Sequence, residues 1–274
     1  MLNALTIDLE DWYQGLTSTS RQRERWSNFE SRVVANTEKV LNLLAQAEVK
    51  ATFFVLGYVA DQFPELIRRV ADSGHEIALH SYYHQQVQRL TPDQFRQDVA
   101  SSRATVQKAC GRPIKGYRAP MFSINGSCLW ALEILCEMGF EYDSSVFPVQ
   151  NMYYGYPSAP RYPYRPFDSS SLVEFPLATV QCLGINWPVG GGFYFRTFPY
   201  PLLQSGIRRL NHQKIPAVLY FHPWELDLEQ RYWQVTPRER ITHYHGRASL
   251  AGKLQRLLKD FEFTTLSGLA NNLA

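Results

Sequence analysis

Short apolar runs alternate with longer stretches of helical periodicity along the first half of the chain. Leu5 to Leu9 reads as a strand. Ser31 to Ala47 reads as a helix, with Val33, Val34, Val40, Leu41 and Leu44 recurring at the spacing of one buried face. Ala51 to Leu56 is apolar without alternation, the mark of a strand covered on both sides. Pro64 opens a helix that stops at Gly74, and His75 to Leu79 predicts a third strand. Thr91, Pro92 and Gln94 form a capping-box signature, starting a helix that runs to about Ala109 with Gly111 as its stop. Ile114 to Arg118 is then a strand, Ser127 to Met138 a helix closed by Gly139, and Phe140 to Asp143 another short strand. This alternation predicts an α/β fold of βαβ units around a parallel sheet.

From about Phe147 to Tyr200 the pattern breaks, and Pro, Tyr, Gly and Arg dominate without a long amphipathic helix. The stretch 147–200 is expected to be an elaborated loop region over one end of the fold. A helix from about Pro201 to Gln213, a strand Ala217 to Phe221 and a helix from about Arg247 to Lys259 resume the pattern. With no flexible linker and no internal repeat visible, residues 1–274 are expected to form a single domain.

Composition narrows the function classes. Lys and Arg number 28 against 25 Asp and Glu, a net +3 of intermixed signs that lacks the basic stripe nucleic-acid binding requires. No apolar run approaches the roughly 18 residues of a membrane span, and Met1 to Asp8 does not read as a signal peptide. The expected location is therefore cytoplasmic, or peripheral or exported if a leader was removed. Cys110, Cys128, Cys136 and Cys182 show no C-x-x-C pair and are expected to be reduced, buried thiols. The aromatic content, 14%, is high, and aromatic faces suit flat sugar rings as well as they suit a core.

His80 and His84 stand four apart just after a predicted strand, a spacing that brings two imidazoles to adjacent corners of a divalent metal site. Asp8, Glu10 and Asp11 lie at the end of the first strand. Three carboxylates in four residues repel one another unless a cation or hydrogen bonds compensate, although an acidic turn that caps a helix explains them too. Asp8 and Glu10 share a face by strand alternation, so one can hold a metal while its neighbour takes a proton from metal-bound water. Arg118 and His222 each end a later predicted strand, and in a parallel sheet they fall on the same rim. Arg118 can hold a carboxylate ionised, and His222 can protonate a leaving amine, or be a satisfied core histidine.

The ordered set Asp8, His80-x-x-x-His84, Arg118-x-Pro120 and His222 resembles the polysaccharide deacetylases, the NodB-homology superfamily of carbohydrate esterase family 4. The opening Thr6 to Asp11, Ala51 to Gly57, Tyr142 to Ser145, Ala159 to Arg161, Gly190 to Arg196 and His222 to Glu225 further resemble its exosortase-associated exopolysaccharide subgroup. The resemblance implies a distorted (β/α) barrel with fewer than eight regular units, working through Zn2+ or another divalent ion such as Co2+, Ni2+ or Mn2+. By position it makes Asp8 the general base, His80 and His84 metal ligands, Arg118 the residue that orients Asp8, and His222 the general acid. It also gives Met121 an oxyanion-binding N–H, Asp143 a place lining the site in support of His222, and Leu219 to Phe221 the wall that receives the acetyl methyl.

One position departs from the family pattern. Where two adjacent aspartates are usual, Leu9 follows Asp8, so Glu10 becomes the preferred third ligand and Asp11 the alternative. Arg161, Trp187, the triple glycine Gly190 to Gly192 and Arg196 are expected to shape a substrate groove, with Trp224, Glu225, His243 and His245 as further rim candidates. The expected activity is metal-dependent removal of N-acetyl groups from amino sugars of an exopolysaccharide or its precursor, with an acetylated oligo- or polysaccharide as partner. Two alternatives are a metal-independent amidase acting on a small cyclic amide or ureide, suggested by Glu10, and a glycan-binding module without turnover, suggested by the aromatic surplus.

Overall fold

The computed structural model of the chain describes residues 1–15, 17–151, 154–168, 171–230, 233 and 235–273. Its first strand, β1 (Asn3–Leu9), sends alternate side chains to opposite faces: Leu5, Ile7 and Leu9 into an outer apolar layer, Ala4, Thr6 and Asp8 the other way. From β1 the sheet continues through β2 (Thr52–Val55), β3 (Glu76–Leu79), β4 (Gly116–Tyr117), β5 (Tyr142–Asp143) and β6 (Val173–Glu174), each parallel to the last. A separate antiparallel hairpin, β7 (Thr179–Cys182) and β8 (Ile185–Pro188), follows. β9 (Val218–Phe221) and β10 (Phe263–Thr264) then return to pair with β1, again in parallel. Just past β6, the Ala178 N–H donates to the Val218 carbonyl of β9 at 3.0 Å, so the curled sheet nearly meets itself. The result is a distorted (β/α) barrel, and all strands of its parallel sheet end on one rim.

Helices Val33–Gln46, Pro64–Asp72, Pro92–Cys110, Trp130–Glu137, Tyr200–His212 and Arg247–Asp260 cover the outside, each burying one stripe against the odd-numbered residues of β1 and their equivalents. Val34 falls off the stripe expected for it and is exposed, because Thr37 takes the place between Val33 and Val40 on the buried face. The barrel interior is filled by Ala4, Phe54, Ala78, Tyr142, Val218 and Tyr220. Gly116 is required there: a Cβ would lie 1.9 Å from the Tyr142 ring.

The expected strands at Ile114 to Arg118 and Phe140 to Asp143 shorten to two residues each, since only their ends reach a parallel neighbour. Of the loop region 147–200, residues 152, 153, 169 and 170 lie outside the described residues. The rest is less irregular than its composition implies, holding β6, the β7–β8 hairpin and a short helix, Gly192–Thr197. The hairpin turns on Leu183 and Gly184, both with positive φ (51° and 77°), a turn geometry that favours the strand twist but that a leucine conceals from a sequence reading. Thr236, Pro237 and Glu239 form a capping box like that at Thr91 and start a further helix, Pro237–Tyr244, that sequence reasoning passed over. The thiols are free, but Cys182 is exposed on the hairpin and Cys136 only half-buried, against the expectation of four buried ones. Among the described residues no helix is long and apolar enough to cross a membrane.

The helix Val33–Gln46 begins without a side-chain cap of its own, because Arg32 occupies the N-cap. Two carboxylates from elsewhere supply what is missing. Asp11 accepts from the Ser31 hydroxyl (2.7 Å) and the amides of Arg32 (3.0 Å) and Val33 (3.3 Å). Buried Asp227, beyond β9, pairs with the Arg32 guanidinium and accepts from the Asn36 amide at 3.0 Å. Burial alone would raise the Asp227 pKa, but Arg32, Asn36 and the Glu229 amide outweigh it and hold the group at about 2. A depressed carboxyl contributes stability above its unfolded pKa and loses it as pH falls through the folded one. Asp227→Asn should therefore cost about 2 kcal/mol at neutral pH, with the gap to wild type closing as pH falls from about 4 to about 2. Urea unfolding at a series of pH values measures this, and a gap independent of pH would refute it.

Candidate active site

The common rim gathers the polar residues. Asp8 is the last residue but one of β1, and His80, Arg118, Ser144 and His222 directly follow β3, β4, β5 and β9. Arg118 is fully buried and is the floor of the site. Its Nη1 donates to Asp8 Oδ1 and to Thr6 Oγ1, both at 2.7 Å, while Nε and Nη2 donate to the carbonyl (2.9 Å) and hydroxyl (2.8 Å) of Ser144. The guanidinium lies 4.0 Å from the centre of the Phe54 ring, with Phe122 and Tyr220 further out.

The Arg118 carbonyl in turn meets His80 Nδ1 at 2.8 Å. A carbonyl only accepts, so Nδ1 carries the hydrogen and Nε2 keeps its lone pair. Burial, against the pull of Asp8 and Glu10, lowers the His80 pKa to about 4, so the ring is neutral at physiological pH. Ligand atoms of Glu10, His80 and His84 all lie within 4.8 Å of one another. Glu10 Oε2 is 3.0 Å from His84 Nε2, yet it is buried without an aligned hydrogen-bond donor. Burial would raise the Glu10 pKa, and the imidazoles of His84, His222 and His80 outweigh it, bringing the carboxylate to about 2. An ionised oxygen with no proper donor, facing imidazole nitrogens, is the donor set of a divalent transition metal. The residues present therefore fit such an ion.

On the opposite side, His222 points Nε2 to 3.4 Å from Glu10 Oε1 and 3.9 Å from Asp8 Oδ2. Its Nδ1 is 2.5 Å from Glu225 Oε1, and Glu225 also accepts the His222 backbone N–H. Burial would lower the His222 pKa, but the Glu10, Glu225 and Asp8 carboxylates raise it to about 9 in the metal-free protein. Strain collects in the segments around this centre. Ser81 (φ 67°), His84 (55°), Met121 (55°) and Phe122 (47°) all hold left-handed backbone, which non-glycine residues adopt only where the surroundings impose it. Met121 sits in the turn Pro120–Phe122, whose preceding amide, Ala119, donates to Ser145 Oγ at 2.7 Å.

Several sequence-based assignments are corrected. The alternative third ligand, Asp11, is committed to the start of helix Val33–Gln46, and it is Glu10, the preferred one, whose ligand atoms gather with those of the histidines. Asp143 does not reach His222: it accepts from the Ser145 amide (3.0 Å) and hydroxyl (2.7 Å) and sits in register with Glu174, while Glu225 takes the imidazole. Leu219 faces the outer helical layer, because strand alternation gives the interior to Val218 and Tyr220. Arg196 and Trp224, expected at the substrate, are buried. Arg196 pairs with Glu225 and donates to the carbonyls of Thr242 and His245, and Trp224 donates through its indole to Glu10 Oε1 at 3.1 Å. His243 is buried against the Trp224 ring. Arg161 donates to the Thr179 carbonyl at the root of the hairpin, where Trp187 is exposed. Gly190 to Gly192 do carry a close approach: Cβ atoms there would strike Val218 and Tyr220 of β9. Sequence reasoning missed Thr6, although a polar residue on the Asp8 face of an apolar strand was a usable signal. It also missed Gly15, for which there was none.

Residues 18–142 match the polysaccharide deacetylase family, and residues 144–271 match a domain of unknown function, DUF3473. Asp8, Glu10 and Asp143 lie outside both stretches. The chain is 36% identical over 98 residues to a peptidoglycan-N-acetylglucosamine deacetylase of Bacillus cereus, covering 35% of this chain and 36% of that protein. It is 42% identical over 86 residues to a chitooligosaccharide deacetylase of Bradyrhizobium, covering 31% of this chain and 39% of that protein. The chain thus spans little more than a third of the length of these curated relatives. A crystal structure assigned to the polysaccharide deacetylases from Mycobacterium smegmatis superposes with a TM-score of 0.65 at 23% identity, over 98% of this chain and 88% of the other. That likeness shows the fold.

The two carboxylates separate cleanly by mutation. If the triad holds a divalent ion, Glu10→Ala should lose it with little change in metal-free stability. Asp11→Ala should keep the metal and lose about 1 kcal/mol or more of stability with its capping bonds. Elemental analysis and urea unfolding distinguish them, and metal lost from Asp11→Ala but kept by Glu10→Ala would reverse the assignment.

Proposed function

Because this chain carries a polysaccharide deacetylase domain of the NodB type, we propose that it hydrolyses N-acetyl groups on amino sugars of an oligo- or polysaccharide. The observation that carries the reading is the meeting of Asp8, His222 and the triad Glu10, His80 and His84 on one rim. A divalent ion, Zn2+ by preference, held by the triad would polarise the acetyl carbonyl and acidify a water. Asp8 is the general base. Its Oδ1 is fixed by Arg118, which leaves Oδ2, on the His222 side, to take the proton of the attacking water.

His222 is the general acid. Its Nδ1 is engaged by Glu225, so Nε2 delivers the proton to the departing amine as the carbon–nitrogen bond breaks and acetate forms. The Met121 N–H, held in a left-handed turn, helps stabilise the oxyanion. Tyr220, on the interior face of β9, takes the part of the acetyl-facing wall that Leu219 cannot. The two curated relatives act, by their names, on peptidoglycan N-acetylglucosamine and on chitooligosaccharides, which supports an acetamido sugar as substrate. Motifs such as Gly190 to Arg196 and His222 to Glu225 favour an exopolysaccharide, or its precursor, as the polymer.

A panel of N-acetylated oligosaccharides, O-acetylated sugars and de-esterified exopolysaccharides, scored by acetate release, tests this. Activity should vanish on chelation and return with Zn2+ or Co2+. Asp8→Asn and His80→Ala should each reduce the rate by at least about a hundredfold. Release that is unaffected by chelation or by His80→Ala would refute the metal-centred reading, and release from O-acetyl sugars alone would refute the amide.

A further inference from the structure

The third ligand sits in an awkward place. β1 ends at Leu9, whose side chain belongs to the outer apolar layer, and Glu10 begins a tight turn in which its amide donates to the Asp8 carbonyl at 3.1 Å. A glutamate just beyond a strand has three rotatable bonds and no backbone ladder to fix it. Something else must aim its carboxylate at the two histidines.

Two residues do so. The Trp224 indole is a donor only, and it donates to Glu10 Oε1 at 3.1 Å, leaving Oε2 directed at His84. The indole cannot swing away. It is sandwiched between His222, 4.8 Å off at 17°, and His243, 4.1 Å off at 17°, with the Arg247 guanidinium 5.1 Å from its ring. The room for this bond comes from Gly15, at the end of the short helix Trp12–Gly15. A Cβ on Gly15 would lie 2.7 Å from Glu10 Oε1 and 3.1 to 3.2 Å from Trp224 Cζ2 and Nε1. Gly15 is not among the positive-φ glycines, so the missing side chain is what the site uses, not an unusual backbone.

We propose that Trp224 and Gly15 are positioning residues that make Glu10 a metal ligand, compensating for a carboxylate placed two residues rather than one beyond Asp8. The inference rests on the metal-centred reading above. Zinc affinity of the full chain, measured by competition with a chromophoric chelator, tests it alongside the melting temperature of the metal-free protein. Trp224→Phe removes the N–H and keeps a ring in the sandwich; Gly15→Ala keeps the N–H and pushes the two partners apart.

Each should weaken zinc binding by about tenfold to a hundredfold. Gly15→Ala should do so without lowering the metal-free melting temperature by more than a few degrees, since alanine is the better helix former. A purely structural role predicts the opposite pattern, a lowered melting temperature with unchanged affinity. If Trp224→Phe does not fold, Gly15→Ala decides the matter alone. Wild-type zinc affinity in Gly15→Ala, or in a folded Trp224→Phe, overturns the proposal and leaves the metal-centred reading standing. A wild-type chain that binds no zinc overturns both.

Discussion

Arg118 carries a full positive charge with no exposed surface, and most of the site can be traced to how that charge is satisfied. Removing a guanidinium from water is prohibitive unless its donors are met and a counter-charge is close. Here Asp8 supplies the counter-charge, Thr6 and Ser144 meet other donors, and Phe54 covers one face. Those partners come from β1, β2 and the end of β5, so the ion pair sets the relative height of the strand ends. The carbonyl of the same residue orients His80. One residue thus fixes a carboxylate through its side chain and the His80 imidazole through its carbonyl, and Asp8 cannot shift without uncovering the buried charge.

Electrostatic balance extends the same logic across the barrel. Glu10 and Glu225 both stay ionised in spite of burial because imidazoles or Arg196 stand beside them. At Glu174 the Val146 amide and the Arg118 charge are outweighed. Burial and the adjacent Asp143 carboxylate drive its pKa well above the ordinary range, so it stays protonated, while Ser145 satisfies Asp143. Ser145 in turn links Asp143 to the Ala119 amide just before the Pro120–Phe122 turn.

What was legible in the sequence follows from the range of each interaction. Periodicity and caps are local, so the long outer helices and the strands β1, β2, β3 and β9 could be read with errors of a few residues. Side-chain direction along β1 was legible too, because alternation is a property of the strand itself. Partnerships across the barrel were not. Whether Asp11 would meet a metal or a helix start depended on where Ser31 to Val33 came to lie, and the acidic-turn alternative turned out to describe that one residue. Asp143 was expected to support His222 and Glu225 only to lie on the rim, since nothing in either segment states its separation from the imidazole in space. Leu219 could have been placed correctly: with Val218 and Tyr220 as neighbours in one strand, only alternate residues can line an interior.

Division of labour along the chain bears on how the site is assembled. His80, His84 and Arg118 come from the stretch that matches the deacetylase family, and Asp8 and Glu10 from the strand before it. His222, Trp224, Glu225 and Arg196 come from the stretch matching DUF3473. The two parts share one sheet, because β1 pairs with β2 along one edge and with β9 along the other. Trp224 reaches from the second part to the Glu10 carboxylate, and His222 approaches both Asp8 and Glu10. A first part alone would lack both neighbours of the Glu10 carboxylate beyond the two histidines, Trp224 and His222. His80 and His84 would keep their spacing while Glu10 lost the indole that engages its Oε1. The stretch matching DUF3473 therefore completes the surroundings of Asp8 and Glu10 and is not an appendage to the barrel.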